Sequence, residues 1–180
     1  ACQQLFKFLF AEGILDRNLA EGLKPIALTK PALPTFTEQQ LQSILNQPDQ
    51  QSFNGQRDYA IMLVFLDTGL RVNELAALKM SDIHWDERYL LIAVAKNRKA
   101  RRVPFQQTTS EALHAYLLRR GTASTPGLWI TRFQKTFTRT GIIQMISRYC
   151  KQAGVPGTSH TFRHTMAKLF LLNGGNIDTL

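Results

Sequence analysis

The sequence predicts a mainly α-helical domain with one small three-stranded antiparallel sheet inserted in it. Three observations lead to that reading. Residues Gln56 to Asp67 carry Tyr59, Met62, Leu63, Phe65 and Leu66 and are apolar nearly all round, as expected of a helix at the centre of a domain. Thr37 with Gln40, and Thr108 with Glu111, have the spacing of capping boxes and open two further helices. Between them the period changes. Ile83 to Trp85, Tyr89 to Val94 and Arg101 to Phe105 are rich in strand formers, and Asp86-Glu87 and Lys96 to Ala100 separate them as turns.

Taken in order, residues 2 to 22 read as a helix with Leu5, Phe6, Leu9 and Phe10 on one face, a turn at Glu12 to Leu15, and a short helical continuation. This is too little to fold alone and suits the last helix of a preceding domain. Residues 23 to 36 contain Pro25, Pro31 and Pro34 and read as a semi-stiff linker. A second domain is expected over 37 to 180. Gly69 supplies the left-handed end of the central helix, and Arg71 begins the next, with Val72, Leu75 and Leu78 turned to the core. The Thr108 helix stops at Gly121, and Leu128 to Thr131 is a short extended piece. Ile142, Ile143, Ile146, Tyr149 and Cys150 mark another amphipathic helix. Ser159 caps the last complete helix, which runs with Met166, Leu169, Phe170 and Leu172 to Gly174-Gly175.

Composition narrows the function. The chain has 180 residues and a net charge of +9, distributed unevenly. Residues 1 to 87 hold 7 Lys or Arg against 11 Asp or Glu, and residues 88 to 180 hold 15 against 2, so the halves carry −4 and +13. Such a chain calls for an anionic partner, nucleic acid first and a membrane surface second, with a merely solvated basic face as the plain alternative. The only cysteines, Cys2 and Cys150, are too few for a disulfide framework or a zinc site of the usual spacing. No apolar run is long enough to cross a bilayer. Leu5 to Leu9, interrupted by Lys7, lacks the features of a signal peptide. The chain starts without Met and stops at Leu180 inside an apparent helix start, so both ends read as cut.

Several residues could carry chemistry. Arg71, at a helix start beside a tight turn, could clamp an oxyanion or could simply pair with Glu74 or Asp67. Lys96, Arg98, Lys99, Arg101 and Arg102 crowd a hairpin that could straddle phosphates, although charges also protect exposed strand edges. His160 and Arg163 share one helix face. His164 lies a turn beyond His160, but neither a third ligand nor an intervening glutamate is present, so no metal site is expected.

Three strings, TGLRVNEL at 68 to 75, AKNRKARRVPF at 95 to 105 and SHTFRHTMAKLFLLNGGNI at 159 to 177, together resemble the tyrosine recombinases, the phage integrase and Xer-like family. The resemblance implies the DNA breaking-rejoining fold, with 37 to 180 an incomplete catalytic domain and 1 to 22 the end of a core-binding domain. It also implies strand exchange on double-stranded DNA through a 3′-phosphotyrosyl intermediate in a homotetramer, in the cytoplasm at the nucleoid, with neither metal nor other cofactor. Arg71 and Arg163 would grip the non-bridging oxygens of the scissile phosphate, for which guanidinium forks are suited. Lys96, or Lys99 if the hairpin register is shifted, would protonate the departing 5′ oxygen. His160 would be the acid/base histidine, with His164 and Glu74 in support, while Arg98, Lys99, Arg101 and Arg102 would contact DNA. The family's nucleophilic tyrosine follows the last helix, whereas Tyr59, Tyr89, Tyr116 and Tyr149 all precede His160, so none is expected to be that nucleophile. A non-catalytic DNA-binding remnant of a mobile element, a type IB topoisomerase and a basic helical adaptor for proteins are the other functions compatible with this pattern.

Overall fold

The structure, a computed structural model, describes residues 2–20, 33–93 and 100–175. Two compact units divide the chain, Ala1–Ala32 and Leu33–Leu180. In the first, helix α1 (Cys2–Ala11) leaves Leu5, Phe8 and Phe10 exposed and half-buries Phe6 and Leu9. Beyond it Gly13 takes a left-handed φ of 69°. Turns and bends then fill the described stretch to Ala20, so the expected short helical continuation does not form there.

The second unit holds the core. Its first residues, 33 to 37, run extended. Phe36 is buried with its ring 5.1 Å from that of Phe162, and its N–H donates to Thr165 Oγ1 at 2.8 Å. Helix α2 (Glu38–Leu45) opens with the expected capping box, in which Gln40 N–H donates to Thr37 Oγ1 and Thr37 N–H to Gln40 Oε1. The central helix α3 (Phe53–Thr68) begins earlier than its apolar run suggests, because Ser52 caps it. It packs against α5 (Gln107–Arg120) and α7 (Ser159–Leu172) and buries Ala60, Ile61, Met62, Val64 and Phe65. The burial of these residues, on successive positions rather than one stripe, is what its composition requires. Helix α4 (Val72–Ala76) follows the Gly69 turn and sends Leu75 into the core.

Strands β1 (Ile83–His84), β2 (Tyr89–Ile92) and β3 (Arg101–Pro104) form the meander in the order β1-β2-β3, antiparallel throughout. Leu90 and Ile92 alternate into the core and leave Tyr89 and Leu91 half-buried on the other face. Helix α6 (Arg139–Gln152), capped by Thr138, buries Ile142, Met145, Ile146, Tyr149 and Cys150. Among the described residues no helix is long and apolar enough to cross a membrane.

Three expectations about helix ends and faces need correction. Helix α5 starts at Gln107, so Thr108 lies inside it rather than capping it. Its cap comes from elsewhere in the chain: the Asp67 carboxylate at the end of α3 accepts the Gln106 N–H at 2.7 Å and the Thr109 hydroxyl at 2.6 Å. Thr158, not Ser159, is the cap residue of α7. The core face of α7 is Phe162 with Thr161 and Thr165, whereas Leu169, Phe170, Leu171 and Leu172 are exposed. Replacing Asp67 by alanine would remove the carboxylate that accepts at the start of α5. We expect Asp67→Ala to lower stability by about 1–2 kcal/mol, read as a drop in thermal midpoint, and an unchanged midpoint would show that the cap is not needed.

Candidate active site

The site is built on the turn between α3 and α4. Gly69 ends α3 in the left-handed region, at φ 55° and ψ 26°, with its N–H on Phe65 O at 2.9 Å. A β-carbon there would also lie 2.6 Å from Met166 Cε. Glycine therefore serves both the turn and the close approach of α7. From α7, Arg163 donates to the Gly69 carbonyl. Two residues beyond the glycine, Arg71 occupies the N-cap position of α4, and its N–H donates to Glu74 Oε2 at 2.8 Å.

The Arg71 side chain is 64% exposed, and its guanidinium stands 3.7 Å from Glu74 Oε1, near the outer limit of an ion pair. The main partner of Glu74 is Arg101 on β3, which makes a two-pronged contact at 2.9 and 3.0 Å. Asp67 is engaged at the start of α5. The expected pairing with Glu74 is therefore present but long, that with Asp67 is absent, and the exposed Arg71 fork keeps donors that an oxyanion could take.

Electrostatics bring Arg163 into the same group. Burial first, then the positive charges of Arg71 and Arg101, hold its pKa below the ordinary arginine value, with Glu74 opposing the shift. Guanidinium remains charged at any working pH, so the cost of crowding is relieved by an anion rather than by loss of a proton. Burial alone would raise the Glu74 carboxyl. The hydrogen bonds from Arg101 and the Arg71 N–H, with the charges of both arginines, outweigh it and hold the carboxyl below its ordinary value.

A cleft of about 760 Å³ opens beside this group between β3 and α7. Gly69, Arg101, Arg102, Arg163 and His164 line its polar side, and Val103, Phe105, Met166 and Phe170 its apolar side. His164 Nδ1 is buried there without a hydrogen-bond partner among the described residues. His160 is exposed and outside the cleft lining, one turn along α7, with its ring centroid 6.4 Å from that of His164. Arg102 is exposed and lies over the Tyr89 ring at 4.9 Å. Lys96, Arg98 and Lys99 lie outside the described residues.

None of the tyrosines lines the cleft. Tyr116 is buried, donating to Leu128 O and accepting from Ile130 N–H, and burial pushes its phenol up. Tyr149 donates to Asp58 Oδ2 at 3.0 Å, and burial, then the Asp58 charge, push its phenol up as well. Tyr89 stacks on His84 at 4.3 Å on the sheet, and Tyr59 packs beside the core from α3. Sequence reasoning missed the network around Asp58, where Arg57 lies at 2.6 Å, Arg148 at 3.2 Å and Tyr149 joins. The only signal for it was an adjacent Arg-Asp pair at the head of an otherwise apolar helix.

Because the Glu74 carboxyl lies below its ordinary value of 4.5 in the folded protein, the stability it contributes is present above that pH and is lost as pH falls through the folded pKa. We expect acid titration of the parent to show this loss and Glu74→Gln to lack it, measured as unfolding free energy against pH. Parallel curves would remove Glu74 as the carboxylate that holds Arg71 and Arg101.

Comparison with known proteins identifies the family and the fold. Tyrosine recombinase XerC of Chlamydia muridarum is 29% identical over 186 residues, an alignment covering 100% of this chain and 59% of that protein. Tyrosine recombinase XerD of Neisseria meningitidis serogroup B is 30% identical over 181 residues, covering 97% of the chain and 62% of the relative. The chain therefore spans about three-fifths of the length of these relatives. The crystal structure of XerA recombinase superposes with a TM-score of 0.72 at 29% identity, over 99% of this chain and 65% of that one. A lambda integrase dimer bound to a COC′ core site shares the fold, at a TM-score of 0.69 and 18% identity, over 96% and 64% of the two chains. The model of the phage integrase family matches residues 34–180, and with it the chain belongs to that family, the tyrosine recombinases.

Proposed function

We propose that the intact protein is a site-specific DNA recombinase, which breaks and rejoins duplex DNA through a 3′-phosphotyrosyl intermediate as a homotetramer, without a metal ion. The observation that carries this reading is the pair Arg71 and Arg163, brought together at the Gly69 turn with the Arg71 fork unfilled. Two guanidiniums can hold both non-bridging oxygens of one phosphate and stabilise the charge that builds on them during in-line attack. Glu74 orients the group without neutralising it, since its carboxylate is bonded chiefly to Arg101.

In that reaction a tyrosine oxygen forms a bond to phosphorus as the bond to the 5′ oxygen breaks, and Lys96 gives the departing oxygen its proton. His160 serves as acid or base toward the attacking hydroxyl. The bond energy is conserved in the phosphotyrosine, so no nucleotide cofactor is called for. The contacts of Tyr116 and Tyr149 support assigning the nucleophile to a tyrosine outside residues 1–180. Related structures, of lambda integrase bound to a core site and of the Tn1549 integrase in complex with circular intermediate DNA, support duplex DNA as the partner.

Removing either arginine should lower the rate of covalent adduct formation by roughly 10²–10³ while leaving most of the DNA affinity. The measurement is trapping of the full-length protein on a nicked substrate carrying its target site, comparing Arg71→Ala and Arg163→Ala with the parent. Adduct at the parental rate in either variant would overturn the assignment. DNA binding with no adduct from the parent itself would favour a non-catalytic DNA-binding protein.

A further inference from the structure

Away from the arginine pair, the connection between α5 and α6 carries a tight turn at Thr131–Thr136. It is closed by Thr131 N–H to Lys135 O at 2.7 Å, Gln134 N–H to Thr131 O at 2.9 Å and a bridge between Ile130 and Thr136. Gln134 sits at φ 58°, a left-handed conformation that a non-glycine residue holds only when its surroundings enforce it.

The root of the turn is buried and fixed. Ile130 O accepts from Arg57 at 3.0 Å, and the Arg57 guanidinium lies 3.7 Å over the Phe137 ring. The Trp129 indole N–H donates to Leu75 O in α4 at 2.9 Å. The tip is the opposite. Phe133 is 69% exposed, with the Arg132 guanidinium 4.6 Å from its ring centroid and Lys135 beyond it. No acidic residue occurs between Glu111 and Asp178 to balance these cations.

A fixed root that holds an aromatic ring out in water against one cation, with a second exposed cation two residues on, fits a partner offering anions and flat apolar surface together. Duplex DNA does so, since its phosphates flank sugar walls and base edges that accept an inserted phenylalanine. We propose that the turn at residues 131–136 is a second DNA contact, with Phe133 entering a groove and Arg132 and Lys135 on the bordering phosphates. Trp129 ties the turn to α4, the helix that Arg71 begins, so the contact falls at a fixed offset from the phosphate held by the arginine pair. The inference rests on the duplex-DNA reading of that pair.

The test uses the full 180-residue chain and a random-sequence duplex of about 30 base pairs, roughly three helical turns, with affinity measured by fluorescence anisotropy over a salt series. Arg132→Ala with Lys135→Ala should reduce the slope of log affinity against log salt by about 1.8, at about 0.9 per phosphate contact. Phe133→Ala should weaken binding roughly five- to tenfold with its slope unchanged, and Phe133→Leu should restore most of the loss. Circular dichroism melts confirm that these surface variants stay folded. If the parent binds and either the double variant or Phe133→Ala binds as the parent does, the turn is no DNA contact while the arginine pair stands. If the parent shows no salt-dependent DNA binding, the duplex reading fails and this inference with it. Loss of binding to vesicles of phosphatidylserine and phosphatidylcholine, with DNA binding intact, would instead overturn it in favour of a membrane surface.

Discussion

Where α3 ends, Gly69 turns the chain in the left-handed region and lies against the Met166 side chain of α7, and that contact lies beside two arginines from distant parts of the chain. It brings α7 against the turn, so that Arg163 can donate to the Gly69 carbonyl while Arg71 starts the helix two residues on. Like charges at such range repel, and the fold has to hold them by other means. Glu74 meets part of that need, with one carboxylate among Arg71, Arg101 and Arg163, leaving a formal +2 from three cations and one anion. A pocket left with that surplus, at a rigid turn, is a site awaiting an anion.

The same economy of acidic groups runs through the second unit. Asp58 is buried among Arg57, Arg148 and Tyr149, and burial pushes its carboxyl up even against those partners. Asp67 caps α5. Arg120, also buried, donates to the carbonyls of Gly121, Thr125, Gly127 and Leu128, and so holds the loop that leads to Trp129. These polar groups order the irregular chain between helices, where no ladder of backbone hydrogen bonds could do so. The loop they hold delivers Trp129 to the back of α4 and thereby steadies the helix that Arg71 begins.

Features encoded by neighbours in sequence were readable from sequence. The Thr37 capping box, the Gly69 stop, Arg71 at a helix start and the three-strand meander all depend on spacings of a few residues. Features made by residues far apart were not. Asp67 caps a helix 39 residues on, where the Thr108 and Glu111 spacing offered a plausible local alternative. Arg101 and Arg102 looked alike in a run of cations, yet successive strand residues face opposite ways. Opposite Ile92 in the ladder, Arg101 reaches Glu74, whereas Arg102, opposite Leu91, lies over Tyr89 in the open. Period-two alternation was available to separate the two, but the carboxylate awaiting Arg101 was not. The apolar residues at the end of α7 gave the pattern of a core face, and pattern alone does not say what covers it.

The asymmetry of charge acquires its physical meaning from these pairings. Two acids of the first half reach across to the second, Asp58 to Arg148 and Glu74 to Arg101, while Asp67 is taken up at the start of α5. Those pairs leave most of the 15 cations of residues 88–180 against only two acids in their own half, a surplus that destabilises a compact state through self-repulsion. A polyanion that binds the folded protein and not the unfolded chain relieves that repulsion and stabilises the fold by mass action in the same event. Affinity for such a polyanion and stability of the domain would thus be linked through one set of side chains. The cations that weaken the free protein are the ones a bound polyanion would turn to its advantage.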